Sequence, residues 1–383
     1  MKVQTPKSVV MIAGEASGDL HAAHVIAALH RKYPAVSVSG AGGAAMRKAG
    51  AHIVVDVNEL SVMGLTAVLF RAPQVLKALF RLKRYLAHNR PDLVVLIDFP
   101  DFNLHLAGYA KKLGLTVLYY ISPTVWAWRS RRIKKIKKRV DHMAVIFPFE
   151  KTIYEKHNIP VTYVGHPLLD DAAQNQIFGR ARHAPDHRVI ALLPGSRKDE
   201  VERLLPGMLE AANLLHQRDA QTSFVISCAP TIDKAAIKEI TDSHALVDYR
   251  IVTDPVGAVF ARSTLAVVAS GTASLEAAVY GIPAIIVYQV SGFNYWLAKK
   301  LVKVPHIGMA NLIAREQIYP ELIQDEATAQ NIAATVYELL NDPMAYEKMI
   351  DGILKVQKRI GTSGASDRVA DIAGHLLGGR CAV

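Results

Sequence analysis

Cysteine is nearly missing from this chain: Cys228 and Cys381 are the only two in 383 residues. That pair excludes a disulfide framework and a cysteine-rich zinc site, and it fits a reducing compartment. No apolar run reaches the ~20 residues that a membrane-spanning helix needs. The loop after the first expected strand, GEASGD, is neither a GxGxxG fingerprint nor a Walker loop, since GK[ST] is absent. Neither a solenoid-length repeat nor a low-complexity tract interrupts the chain. The opening MKVQTPKSVVMIAGEASGD has a short apolar run ending in a Gly/Asp loop, which reads as a first strand and not as a secretory signal.

What is present is a globular composition, 51% hydrophobic and 21% charged, with a formal net charge of +11. A basic surface attracts phosphate-rich partners: nucleic acid, anionic lipid or phosphorylated substrates. Charge by itself does not choose among them.

Apolar, β-branched runs alternate with amphipathic helical patterns throughout. SVVMIA, VSVSG, HIVVD, LVVLID, TVLYYI, HMAVIF and VTYVG are the expected strands of the first half. RVIALL, TSFVIS, YRIVT, LAVVAS and AIIVYQ are those of the second. Strands apolar along their whole length and separated by helices belong to parallel sheets covered on both faces. The fold class is α/β, with two Rossmann-like, doubly wound domains. The alternation breaks once, in the polar stretch between about 166 and 187. Domains are therefore expected over 1–170 and 187–342, with the C-terminal helices over 343–383 crossing back to the first domain. Doubly wound domains bind ligands at the carboxyl ends of their strands, so two facing ones would share a cleft.

Four stretches carry chemistry-bearing residues at strand ends, and a fifth lies in a long connection. GEASGD places Gly14 and Ser17 after the first strand, either in a plain βα loop or with N–H groups facing a ligand and Ser17 as cap. LIDFPDFNL puts Asp98 at the carboxyl end of a strand, where an α/β enzyme keeps a general base, beside Phe99 and Phe102 that can raise its pKa. Helix capping, the plainer role, suits Asp101 or Asn103 better. LLPGSRKDE brings Gly195, Ser196 and Arg197 between strand and helix, with a guanidinium fork suited to a diphosphate. AVVASGTASLEAAVYGIP runs from strand through Ser270, Gly271 and Thr272 into a helix, with Thr272 or Ser274 as cap and Glu276 in the first turn; free N–H groups there accept phosphate. In GMANL, Asn311 is a loop residue whose ordinary role is to satisfy backbone groups.

Two further stretches face outward. After ISPTVWAWR comes a basic helix, about Arg129 to Arg139, with Ile133, Ile136 and Val140 on one face and cations around them. It is either a solvated helix or an anion-binding face, and without a nucleic-acid motif it is a weak nucleic-acid signal. Val62–Leu86 repeats Leu65, Val68, Leu69, Val75, Leu76 and Leu79 at helical spacing among Arg71, Lys77, Arg81, Lys83 and Arg84, with Pro73 dividing it into two pieces. Core packing and interfacial membrane contact both fit this pattern.

Assembled in this order, GEASGD, ELSVMG, IDFPDFN, ISPTVWAWR, FPFEK, VGHPL, LLPGSRKDEVERLLP, ASGTASLEAAVYGIP, GMANLIA and PELIQ resemble the lipid-A-disaccharide synthase family over essentially the full chain. The resemblance implies a metal-independent, cofactor-free inverting glycosyltransferase of the two-Rossmann (GT-B) type. It would transfer 2,3-diacylglucosamine from UDP-2,3-diacylglucosamine to 2,3-diacylglucosamine 1-phosphate. It implies Asp98 as base, Arg197 at the diphosphate, Glu276 at the ribose and Asn311 facing the cleft. It also implies a homodimer, peripheral association with the cytoplasmic face of the inner membrane of a Gram-negative bacterium, and an anionic phospholipid surface as partner through Val62–Leu86, with no role for nucleic acid. The alternatives are another two-domain UDP-sugar enzyme, such as a 2-epimerase or a soluble-acceptor transferase, and a basic nucleic-acid-binding protein.

Overall fold

The computed structural model describes residues 7–60, 65–127, 130–174, 188–244, 249–292, 295–296 and 304–378. The chain divides into two compact units, Met1–Asp170 with Thr362–Val383, and Asp171–Gly361.

The first unit is built on seven strands: β1 (Ser8–Ala13), β2 (Ser37–Gly42), β3 (His52–Asp56), β4 (Leu93–Ile97), β5 (Thr116–Tyr120), β6 (His142–Val145) and β7 (Val161–Tyr163). Their order is β3-β2-β1-β4-β5-β6-β7, and every pair is parallel. These are the seven expected strands. β1 and β4 are buried along nearly their whole length, as sheets covered on both faces require. One covering layer holds α4 (Leu65–Asn89), α5 (Pro100–Lys112) and α6 (Arg132–Arg139). Their residues Leu82, Leu86, Leu106, Ile133 and Ile136 join Val94, Leu96 and Val117 in one core.

α4 is a single helix with Pro73 inside it, not the two pieces expected. Proline there removes one backbone donor, while the apolar stripe from Ala78 to Leu86 keeps the helix docked on the sheet.

α1 (Ala16–Lys32) packs against the last helix of the chain, α16 (Ala365–Leu377). Arg31 and Lys32 pair with Asp367 and Asp371 at 2.8 and 2.6 Å. The start of α16 is held by α8 (Leu168–Gln174). Asp170 accepts from the backbone N–H of Gly364 (2.6 Å), Ala365 (3.2 Å) and Ser366 (3.2 Å). Arg368 donates to the carbonyls of Val164, Ser363 and Thr362. Gly165 makes room for this: its φ is +87°, and a Cβ would come within 2.7 Å of the Arg368 guanidinium.

The second unit has six parallel strands: β8 (Val189–Leu193), β9 (Ser223–Ser227), β10 (Tyr249–Val252), β11 (Leu265–Ala269), β12 (Ala284–Tyr288) and β13 (Glu321–Ile323). Their order is β10-β9-β8-β11-β12-β13. Five were expected. β13 escaped notice because it has three half-buried residues at the sheet edge, too few to show a pattern.

The boundary expected at 343 also differs. α14 (Ala329–Asn341) and α15 (Pro343–Ile360) belong to the second unit, where Gln357 donates to the carbonyls of Ala278 and Val279. Only the segment from Thr362 returns to the first unit. α15 carries its own apolar face, Met349, Ile353, Val356 and Ile360, which the second unit buries.

Asp170→Ala is expected to cost about 1–2 kcal/mol, the worth of a helix cap. It should accelerate hydrogen exchange of the Gly364, Ala365 and Ser366 amides. Unchanged protection of those three would remove Asp170 as the anchor of α16.

Candidate active site

In each unit the strand order reverses once, between β1 and β4 and between β8 and β11. Loops leaving the carboxyl ends of such neighbouring strands diverge to opposite faces and open a crevice. The four stretches singled out after β1, β4, β8 and β11 stand at these two places. Gly14 follows β1 and Asp98 follows β4. Gly195–Arg197 follows β8 and Ser270–Thr272 follows β11.

Asp98 is held by its backbone. Its N–H donates to the Tyr120 carbonyl (3.0 Å). Its carbonyl accepts from Asn103 Nδ2 (2.8 Å) and the Tyr119 hydroxyl (2.7 Å). Asp98 and Phe99 both adopt left-handed φ, 45° and 48°. Two consecutive side-chain-bearing residues there store strain of order 1–3 kcal/mol each, offset by those three bonds. The Phe99 ring then lies over Gly14, where a Cβ would approach it to 2.2 Å. Gly14 therefore serves close packing. Burial, and after it the negative charge of Glu15, push the Asp98 carboxyl up to about 6, against the opposing hydrogen bond from the Phe99 N–H. Glu15 is a contributor that sequence reasoning missed, although it stands inside GEASGD.

Ser17 is not the cap of α1. The helix starts at Ala16, its N-cap is Glu15, and no side chain caps it; Ser17 is exposed in the first turn. Neither Asp101 nor Asn103 caps α5, whose N-cap is Phe99. Asn103 is spent on the Ile97 and Asp98 carbonyls, and Asp101 pairs with Arg132 at 2.5 Å. Asp19, from the same GEASGD motif, is buried and accepts from the N–H groups of Gly43, Ala45 and Met46. The short helix Ala44–Lys48 is thereby fixed against α1.

Glu150 is a buried carboxyl that sequence reasoning also missed. It is 1% exposed and accepts from the Phe147 N–H (3.1 Å) and Trp126 Nε1 (3.3 Å). Burial pushes it up to about 8 despite those bonds. It ties the loop after β5 to the start of α7 (Pro148–Glu155).

In the second unit, Gly195 has φ +120° and Arg197 is the N-cap of α9 (Lys198–Arg218). The Arg197 side chain is 77% exposed and pairs with Glu200 at 2.8 Å. The other oxygen of Glu200 accepts from the Ser196 N–H (3.3 Å). The loop's donors thus face an acidic side chain of their own helix.

α12 (Thr272–Tyr280) starts from Gly271, φ +146°, with no side-chain cap. Ser274 is turned away from that role: its hydroxyl donates to the Gly271 carbonyl (2.9 Å) and accepts from the Met309 N–H (3.1 Å). Gly271 borders open space and Thr272 is exposed. Ser270 Oγ donates to the Ile307 carbonyl at 3.3 Å. Because the helix starts at Thr272, Glu276 lies in its second turn and not its first, half-buried. An uncapped, exposed helix start leaves backbone donors available to an anion.

Asn311 does not face a cleft. It is fully buried in α13 (Met309–Ala314). Its amide donates to the Tyr319 carbonyl (2.8 Å) and Glu321 Oε1 (2.7 Å), while its oxygen accepts from the Ile318 and Tyr319 N–H groups (both 2.9 Å). Glu321 in turn accepts from the N–H groups of Ile307 and Gly308. Asn311 positions the loop next to α12.

Of the residues expected to face a membrane, Leu79 is corrected: it is 8% exposed and sits in the core. Val75 is half-buried against that core. Leu76 is 53% exposed, joined by Phe80 at 65%. The side chains of Leu65, Val68 and Leu69 lie outside the described residues. Among the described residues no helix is long and apolar enough to cross a membrane, and no group of three or more His, Cys, Asp or Glu could hold a metal ion.

The sequence model of the family described as lipid-A-disaccharide synthetase matches residues 9–369. The chain belongs to the lipid-A-disaccharide synthase family. A synthase of that name from Geobacter metallireducens is 44% identical over 97% of this chain and 98% of its own. One from Coxiella burnetii is 39% identical over 97% and 99%. Members of this family are glycosyltransferases, and this chain is one. Solved structures share its fold at low identity. They include a UDP-GlcNAc 2-epimerase from Neisseria meningitidis (TM-score 0.63, 14% identical, 96% of this chain and 99% of that one). MurG from Acinetobacter baumannii is another (0.60, 16%, 96% and 99%). The family's fold is thus the two-Rossmann, GT-B type.

Asn311→Ala is expected to lower stability by about 2–4 kcal/mol, since it strands buried donors and the Glu321 carboxylate. Denaturant unfolding checks this. An unaltered midpoint with lost activity would restore a direct role in the reaction.

Proposed function

We propose that the chain transfers 2,3-diacylglucosamine from UDP-2,3-diacylglucosamine to the 6-hydroxyl of 2,3-diacylglucosamine 1-phosphate. The products are the β-1,6-linked disaccharide 1-phosphate and UDP, with inversion at the anomeric carbon. The observation that carries this reading is Asp98. It is a carboxylate at a strand's carboxyl end, locked by its backbone, with a pKa raised to about 6. A base near neutrality is poised both to be ionised and to accept a proton. Asp98 takes the proton of the acceptor hydroxyl as that oxygen attacks the anomeric carbon and the bond to UDP breaks on the opposite face.

The leaving diphosphate gains charge as that bond breaks. Exposed N–H groups at Gly271–Thr272, the Gly195–Ser196 backbone and the Arg197 guanidinium stabilise it. Glu276 accepts from the ribose hydroxyls. Arg197 exchanges its pairing with Glu200 for the diphosphate, which gives the positively charged fork a doubly charged partner. Acylated substrates reside in a bilayer, and the exposed Leu76 and Phe80 of α4 meet that surface, flanked by Lys77, Lys83 and Arg84.

Incubation with the two acylated glucosamines should yield the disaccharide 1-phosphate and UDP by mass. Epimerised UDP-sugar without disaccharide would point to the 2-epimerase reading. The activity–pH profile should rise through about pH 6 on its acid side, because the base works only deprotonated. Glu15→Gln should move that limb to lower pH, since the Glu15 charge is one of the two causes holding the Asp98 pKa up. Asp98→Asn should lower turnover by about 10²–10⁴-fold with UDP affinity retained; near-normal turnover removes it as the base. Arg197→Ala should weaken UDP binding, and unchanged affinity would count against the diphosphate role.

A further inference from the structure

The reaction makes no use of the most concentrated charge on the molecule. α6 and the residue before it read RRIKKIKKR. Ile133 and Ile136 are buried in the first unit's core. Two of its cations are spent internally: Arg132 is 8% exposed and pairs with Asp101, and Arg139 donates to the Leu104 carbonyl at 2.8 Å. Arg131, Lys134, Lys135, Lys137 and Lys138 are exposed. No acidic residue interrupts this stretch. Asp141, which follows it, is bound by Lys111 and the Val117 N–H. Lys134–Lys137, Lys134–Lys138 and Lys135–Lys138 are helical neighbours of like charge, a spacing that weakens the isolated helix. An ordinary solvated face mixes signs; this one keeps its repulsion.

The face is continuous with α4. Arg139 lies against α5, where a Cβ on Gly108 would be 3.1 Å from its Nε. On the same outward face of α5, Lys83 of α4 reaches His105 Nε2 at 3.0 Å and the Tyr109 ring at 5.5 Å. His105 is held below its ordinary pKa by burial first, then by the positive charges of Lys83, Arg139 and Lys112. The α4–α5–α6 layer therefore carries a band of cationic side chains and also exposes Leu76 and Phe80.

We infer that the lysine face of α6 is a docking surface for anionic phospholipid headgroups, separate from the apolar contact made by α4. This rests on the membrane reading of α4 given above. A nucleic acid would use the charge but leave the exposed Leu76 and Phe80 in the same layer without a partner. A bilayer offers phosphates above hydrocarbon and matches both. Each lysine near an anionic surface raises the binding constant by about fivefold at low salt, so the four together govern preference for charged lipid. The apolar residues govern binding to any bilayer.

The test uses the full chain and sedimentation with vesicles of phosphatidylcholine, alone or mixed with phosphatidylglycerol. Lys134→Gln, Lys135→Gln, Lys137→Gln and Lys138→Gln are combined in one variant. Leu76→Ser with Phe80→Ser forms another. All six positions are exposed, and an unchanged thermal midpoint verifies folding. The expected result is that the lysine variant loses at least ~10-fold in affinity for phosphatidylglycerol vesicles while its weaker binding to neutral vesicles is unaltered. Its turnover on detergent-dispersed substrates should stay at the wild-type value. The serine variant should lose binding to both compositions; if it does not, the membrane reading of α4 fails while the lysine result is still read separately. Wild-type affinity of the lysine variant for phosphatidylglycerol overturns the inference. So does a band that binds a short DNA duplex through these lysines but shows no dependence on lipid charge.

Discussion

Parallel pairing is the constraint from which the rest follows. When every strand of a sheet runs the same way, each chain must leave at the carboxyl edge and return by a helix. All the strand-to-helix loops then gather at the carboxyl edge. Where the strand order reverses, between β1 and β4 and between β8 and β11, two such loops part. Asp98 owes its place to that geometry, and so do the uncapped start of α12 and the Gly195–Arg197 loop. The left-handed turn at Asp98–Phe99 is tolerable only because neighbouring β5 ends beside it and supplies the Tyr119 hydroxyl and the Tyr120 carbonyl. Sheet order is thus the support of the candidate base.

Strands of this kind were easy to read because burial on both faces leaves no polar residue to blur them. SVVMIA and LVVLID announce themselves. β13 does not: three residues at an edge, one of them the glutamate that holds the Ile307–Gly308 turn, carry no period. The loop positions at the strand ends were legible for a related reason, since glycine and small polar residues mark where the chain turns.

What was not legible was the direction of individual side chains. The resemblance turned Asn311 toward a cleft, but the plainer role open to a loop asparagine, satisfying backbone groups, is the one it fills, with four hydrogen bonds. Glu276 lies a turn deeper than expected because α12 begins at Thr272, with Gly271 as its N-cap. Val75, Leu76 and Leu79 share a spacing that reads as one stripe. The sheet beneath takes Leu79, shares Val75 and leaves Leu76 outside, a division that depends on how α4 rolls on β-strand residues far away in sequence. Glu15 and Glu150 were missed because a lone acid at the start of a helix has no pattern. Their effect comes from partners such as Asp98 and Trp126 that only folding assembles.

The return of α16 to the first unit has a consequence for how the molecule is made. During synthesis the strands of the first sheet emerge before any of the second. Yet the surface that α1 offers to α16 stays uncovered until residues 362–378 leave the ribosome. The second unit, whose elements are consecutive from β8 to α15, has all its parts before the first does. The half that is started first is finished last, and for most of translation it must wait with an apolar face exposed. The last helix to be made thus completes the sheet that was begun first, packing on α1 and reaching β4 and β5.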